Sequence, residues 1–125
     1  MTAVQVPRFL HPGEAVTIGT DAAGSYSLEA LGTAIREEAD VVFVNYAFWV
    51  RHGRDRQRLI TFERNTLGHP RQLIWAGDID ADNRPDLLFD FGLGDVGDNL
   101  VLYLSSARTG DQLVSRVASF STPGC

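Results

Sequence analysis

The sequence predicts an all-β fold, an antiparallel sandwich or a partly closed barrel. Three observations carry that expectation. Short runs rich in Val, Ile, Phe, Tyr and Trp follow one another along the chain, and such residues suit a pleated, half-buried surface. The stretches between them are short and carry Gly, Asp, Asn and Pro, which serves hairpins but not the long crossovers that parallel strands require. No segment makes a convincing long helix.

The elements follow in order. Ala15–Gly19 reads as a short β-branched strand. Tyr26–Ile35 fits two templates: a helix with Leu28, Leu31 and Ile35 as a stripe, or a strand in which Tyr26, Leu28 and Ala30 alternate with Ser27 and Glu29. Gly32 and Thr33 weaken the helix and Gly24 marks a turn before it, so strand is preferred. Arg36–Asp40 is a charged turn. Val41–Val50 reads as a central strand covered on both faces. Arg51–Arg56 is a hairpin turn with Gly53 at its tip, and Leu59–Glu63 returns from it. Asn65–Pro70 is a loop and Leu73–Trp75 a strand. Leu87–Phe91 follows, with Leu87, Phe89 and Phe91 on one face. After a Gly/Asp loop at Gly92–Asn99, Leu100–Ser105 alternates, with Leu100, Leu102 and Leu104 expected inward. Leu113–Phe120 is the last strand and Ser121–Cys125 a tail.

With 125 residues, the chain is expected to form a single domain over 1–125, large enough for a core without disulfides. No fixed-period repeat is visible, and a whole propeller of several blades of about 40 residues does not fit. The net charge is -5, and every one of the 11 basic residues is Arg. An acidic chain is a poor candidate for nucleic acid, which demands a basic face. No apolar run approaches the ~20 residues of a membrane-spanning helix. The sole cysteine, Cys125, excludes a disulfide within the chain. It reads as a free thiol, with pairing to a segment outside this sequence as the alternative.

The acidic residues are unevenly placed: seven Asp lie between Asp78 and Asp98. Within Asp78–Asp86, Asp78, Asp80, Asp82 and Asp86 occupy loop positions one, three, five and nine. Alternate residues of a tight loop can turn their carboxylates to one centre, and the Arg84 carbonyl at position seven can add an oxygen. Four carboxylates on nine residues repel one another without a cation. Calcium takes six to eight oxygens at about 2.3–2.6 Å and fits this donor set better than magnesium. The loop is not an EF-hand, because position twelve is Phe89 rather than Glu and flanking helices are missing.

The stretch Trp75-Ala-Gly-Asp-Ile-Asp-Ala-Asp-Asn-Arg-Pro-Asp-Leu-Leu resembles the FG-GAP or VCBS-type repeat of integrin-like propellers. That repeat has a strand, a loop of the form Asp-x-Asp-x-Asp-Gly-x-x-Asp, and a second strand opening with Leu. The resemblance covers about residues 73–91. It implies a calcium ion held by Asp78, Asp80, Asp82, Asp86 and the Arg84 carbonyl. One departure is Asn83 where the family has Gly. The position calls for a left-handed turn, and Asn tolerates positive φ next best after Gly.

Other features read as bland. Asp90-Phe-Gly92 is a chance triplet in a chain too short for a kinase. His11, His52 and His69 lie in different loops without zinc spacing. Trp49 and Trp75 are expected in the core. Asp95 and Asp98 either extend the cation site or serve a turn. Arg51, Arg54, Arg56 and Arg58 form a basic hairpin, either a solvated turn or a docking site for an acidic partner or glycan.

No Ser-His-Asp or Cys-His arrangement can be argued, and spacing picks out no carboxylate pair for glycoside hydrolysis. The leading expectation is a non-enzymatic, calcium-stabilised module that binds a protein or glycan outside the cytoplasm, periplasmic or secreted. The alternatives are a secreted hydrolase with a structural calcium ion and a structural module of a longer secreted chain. Met1–Val4 shows neither the basic nor the apolar part of a signal peptide. That fits a cytosolic chain or a mature form whose leader has been removed.

Overall fold

The computed structural model describes residues 9–21, 24–38, 40–66, 71–79, 84–92, 97–106, 110 and 112–123. The described residues form eight strands and no helix: β1 (Ala15–Asp21), β2 (Gly24–Glu37), β3 (Asp40–His52), β4 (Asp55–Thr66), β5 (Gln72–Gly77), β6 (Asp86–Asp90), β7 (Gly97–Leu104) and β8 (Ser115–Pro123). They make two antiparallel sheets ordered β1-β2-β3-β4 and β5-β6-β7-β8. Each sheet is a meander of sequential neighbours, as short connections require. The sheets do not close into a barrel, and the architecture is that of a sandwich.

The ambiguous segment is a strand, β2, which pairs along its length with β3. Leu28 and Ala30 are fully buried while their sequence neighbours Ser27 and Glu29 are not. The β3–β4 hairpin closes through His52 opposite Asp55. Gly53 takes a φ of 59° at the first of its two loop positions, where type II′ turns call for glycine.

Between the sheets lies an aromatic core. Phe48 of β3 packs on Phe89 at a centroid distance of 4.9 Å, and Phe62 of β4 on Phe91 at 5.0 Å. Each contact joins one sheet to the other. Leu87, Phe89 and Phe91 share the inner face as expected, at 0%, 0% and 3% exposure.

Two expectations about faces fail, each for a structural reason. The outer face of β3 is covered only in part: Val42 and Ala47 are buried there, Val44 and Trp49 are half-buried, and Val41 and Asn45 of the same strand are exposed. The apolar run conceals a bulge. Asn45 adopts a φ of 52°, and the pairing with β2 shifts between Leu31 and Thr33. One extra residue reverses the alternation, so Phe43 joins Tyr46, Phe48 and Val50 in the same core. Gly32 lies against this bulge. A Cβ there would meet the Val44 carbonyl oxygen at 3.1 Å and the Tyr46 Cα at 3.2 Å. In β7, Val101 and Tyr103 face the core while Leu100, Leu102 and Leu104 are half-buried. Register decides this: Val101 lies opposite Phe89 and Tyr103 opposite Leu87, and residues directly opposite share a face.

Side chains also stitch the two sheets together. Asn65 is buried at the end of β4, not in a loop. Its Oδ1 accepts from the Arg71 N–H at 2.9 Å and its Nδ2 donates to the Arg71 carbonyl at 3.3 Å, so its amide imitates a strand partner for the start of the second sheet. Gln57 does the same from β4. Its Oε1 accepts from Leu113 N at 2.6 Å and Val114 N at 3.1 Å, and its Nε2 donates to the Val114 carbonyl at 2.9 Å. These amides satisfy backbone groups that no ladder reaches.

Candidate metal centre

The Asp-rich loop joins β5 to β6, the first two strands of the second sheet. Its neck is the last pair of the hairpin, Gly77 opposite Asp86. Asp78 leaves the neck half-buried and Ile79 is exposed. Arg84 is half-buried and Pro85 buried. Asp80, Asp82 and Asn83 lie outside the described residues. The structure therefore places Asp78, Arg84 and Asp86 at the two ends of the loop. Among the described residues, no group of three or more His, Cys, Asp or Glu is placed to hold a metal.

Asp86 is the centre of this region. It opens β6 with no solvent exposure. A buried carboxylate needs strong partners, and here both oxygens have them. Oδ2 accepts from the Ile79 N–H at 2.8 Å. Oδ1 accepts from the Ser105 N–H at 2.9 Å and the Ser105 hydroxyl at 3.1 Å. One oxygen therefore serves the loop and the other the chain just after β7. Hydrogen bonds to an ionised acceptor are about twice as strong as neutral ones. Ser105 fixes the carboxylate's rotation, and Ile79 ties the second loop residue to the ninth.

Sequence reasoning missed Ser105. The register would have found it, since the chain that puts Val101 and Tyr103 inward puts Ser105 inward as well. It is fully buried.

The other Asp residues separate from the loop. Asp90 ends β6, four residues beyond Asp86, or about 13 Å along a strand. Its Oδ1 accepts from Gly92 N at 2.9 Å and Asn99 N at 3.3 Å, the local bonding by which Asp shapes a turn. Asp95 lies outside the described residues, and so does the side chain of Asp98.

The donors that the loop spacing names are of the kind a hard cation takes. All are oxygens, and the Asp86 oxygen on the loop side is held in place by its neighbours. Calcium at this loop would take Asp78, Asp80, Asp82, Asp86 and the Arg84 carbonyl. Among the described residues, no helix is long and apolar enough to cross a membrane. Comparison with known protein families, with curated proteins and with solved structures returns no significant match.

Proposed function

We propose that the chain is a calcium-stabilised, non-enzymatic module that binds a protein or glycan partner outside the cytoplasm. The observation that carries the reading is Asp86. It sits at the ninth position of an Asp-x-Asp-x-Asp loop, is wholly buried, and spends one oxygen closing the loop onto Ile79 and the other on Ser105. The same segment has the strand–loop–strand form of the FG-GAP repeat that it resembles, with β5 before the loop and Leu87 and Leu88 following Asp86 in β6. The ion's role is structural. It neutralises the loop carboxylates and so holds together the hairpin that begins the second sheet.

The setting follows from affinity. Extracellular calcium modules bind with Kd of about 10⁻⁴–10⁻³ M, too weak to fill at cytosolic calcium levels. Asn83 stands where the repeat that the loop resembles carries Gly, a substitution expected to cost the loop preorganisation and so to keep binding weak. Isothermal titration with calcium tests both claims. The expected result is one site with a Kd of about 10⁻⁴–10⁻³ M. No heat up to millimolar calcium removes the metal site, and nanomolar binding removes the argument for an extracytoplasmic setting.

A further inference from the structure

At one end of the first sheet, the chain's acidic balance reverses. Four arginines, Arg51, Arg54, Arg56 and Arg58, surround the β3–β4 hairpin in a protein of net charge -5. Register sorts them onto one face. Arg51 lies opposite Arg56, and Trp49 opposite Arg58. Val50, between them, lies opposite Gln57 and is fully buried. Alternation therefore sends Trp49, Arg51, Arg56 and Arg58 to the outer face, with Arg54 at the tip.

These cations are not equally committed. Arg51 Nε lies 3.0 Å from Glu29 Oε1. The pair is ionic in distance but not aligned as a hydrogen bond, since that oxygen has no hydrogen-bond partner. Arg64, toward the far end of the sheet, is neutralised by Glu37 through two contacts of 2.6 and 2.9 Å. Arg54, Arg56 and Arg58 make no ion pair among the described residues. Arg56 is held instead by Trp49, its guanidinium carbon 4.2 Å from the ring centroid.

That stacking does two things. It restrains a long side chain that would otherwise lose entropy on binding. It also covers the Trp49 ring, which a sugar would use as a stacking platform, and so favours a carboxylate-bearing partner over a neutral glycan. The same strand, β4, is the edge of its sheet, where alternate backbone groups face away from β3. Arg56 and Arg58 are two residues apart, about 6.8 Å along a strand. This is the spacing of every second side chain in an extended peptide.

We propose that the outer face of β4 docks an extended acidic segment of another protein, with carboxylates at alternate positions meeting Arg56 and Arg58 and Arg54 beside them. The proposal rests on the reading of the chain as a binding module and names its face and its partner's chemistry. The mode is strand addition reinforced by charge.

The test titrates a peptide of alternating Glu and Thr into the full chain with calcium present, followed by amide NMR. Saturable shifts are expected at 54–58 and at the Trp49 indole, weakening as salt rises. An exposed arginine–carboxylate pair is worth roughly two- to fivefold in Kd. The double variant R56Q/R58Q should therefore bind about tenfold more weakly, and R64Q should bind as the parent does, all with unchanged spectra elsewhere. No saturation at millimolar peptide overturns the proposal, as does equal binding by the double variant. A uronic-acid oligosaccharide that binds through these arginines where the peptide does not also overturns it. A chain that is stabilised by calcium yet ignores the peptide refutes the docking face and leaves the metal site standing.

Discussion

Replacing Asp86 by alanine is the perturbation that reads out most of the architecture at once. The side chain is fully buried and accepts from Ile79 N, Ser105 N and the Ser105 hydroxyl. Each bond to a charged group is worth about 1.5–3 kcal/mol net, but the three are not additive, and alanine also removes the cost of burying a charge. Leaving the Ile79 and Ser105 donors without their acceptor costs about 1–3 kcal/mol each, so a loss of about 3–5 kcal/mol is expected here. Against a total stability of about 5–15 kcal/mol, that is a large fraction. At about 4 °C per kcal/mol for a chain of this size, Tm should fall by roughly 12–20 °C. Urea denaturation with the m-value held in common measures it. The repulsion argument alone expects Asp86→Ala to lose its excess cost over Asp82→Ala in EGTA, since either change then relieves like charges. The protein donors around Asp86 argue otherwise, so most of its cost should persist without calcium. Ser105→Ala, which removes one donor, should cost about 1 kcal/mol and serves if Asp86→Ala fails to fold. A loss below about 1 kcal/mol for Asp86→Ala, with or without calcium, would refute the reasoning.

Three further expectations follow from the packing. Gly32→Ala places a Cβ 3.1 Å from the Val44 carbonyl oxygen and 3.2 Å from the Tyr46 Cα; backbone cannot step aside, so a loss of about 1–3 kcal/mol is expected, and a neutral result in urea melts would show that the bulge at Asn45 is misplaced. Gln57→Ala strands two N–H groups and a carbonyl around Leu113 and Val114 and should cost about 2 kcal/mol, with faster hydrogen exchange at 113–114 as the local signature. Tyr46 donates to the Leu10 carbonyl at 2.5 Å, and burial first, then the charge of Glu14, raise its phenol above the usual 10.0. A folded pKa above the unfolded one means stability is intact below about pH 10 and falls as pH rises beyond it. Tyr46→Phe should soften that alkaline fall, with Tyr103, also raised by burial, supplying the remainder, and should cost about 1 kcal/mol at neutral pH.

The strands were legible because each carries a local signal. β2 alternates, β6 puts Leu87, Phe89 and Phe91 on one face, and Gly53 marks its hairpin. What escaped depends on relations between strands. The bulge at Asn45 restores a face that simple alternation would lose, and its only trace is Gly32, a glycine inside a strand pattern whose reason lies on the neighbouring chain segment. In β7 the three leucines are more apolar than Val101, Tyr103 and Ser105, so local hydrophobicity chose the wrong face where register with β6 chose the right one. Asn65 and Gln57 act across sheets, at separations no window of sequence spans. The loop's acidic spacing was legible. The partner of Asp86, Ser105, was not, because it lies 19 residues away, just after β7.

The central claim is that a cation at the Asp78–Asp86 loop stabilises the fold, and paired thermal melts of the unaltered chain in millimolar calcium and in EGTA test it most directly. A ligand that binds only the native state adds RT ln(1+[L]/Kd), about 2.7 kcal/mol at a hundredfold excess over Kd, or roughly 11 °C in Tm at about 4 °C per kcal/mol. At a tenfold excess the gain is about half that. Calcium should raise Tm in a concentration-dependent way, and magnesium at the same concentration should do much less, because it demands a tighter octahedral shell. Melts that coincide in calcium and EGTA across the millimolar range would contradict the account.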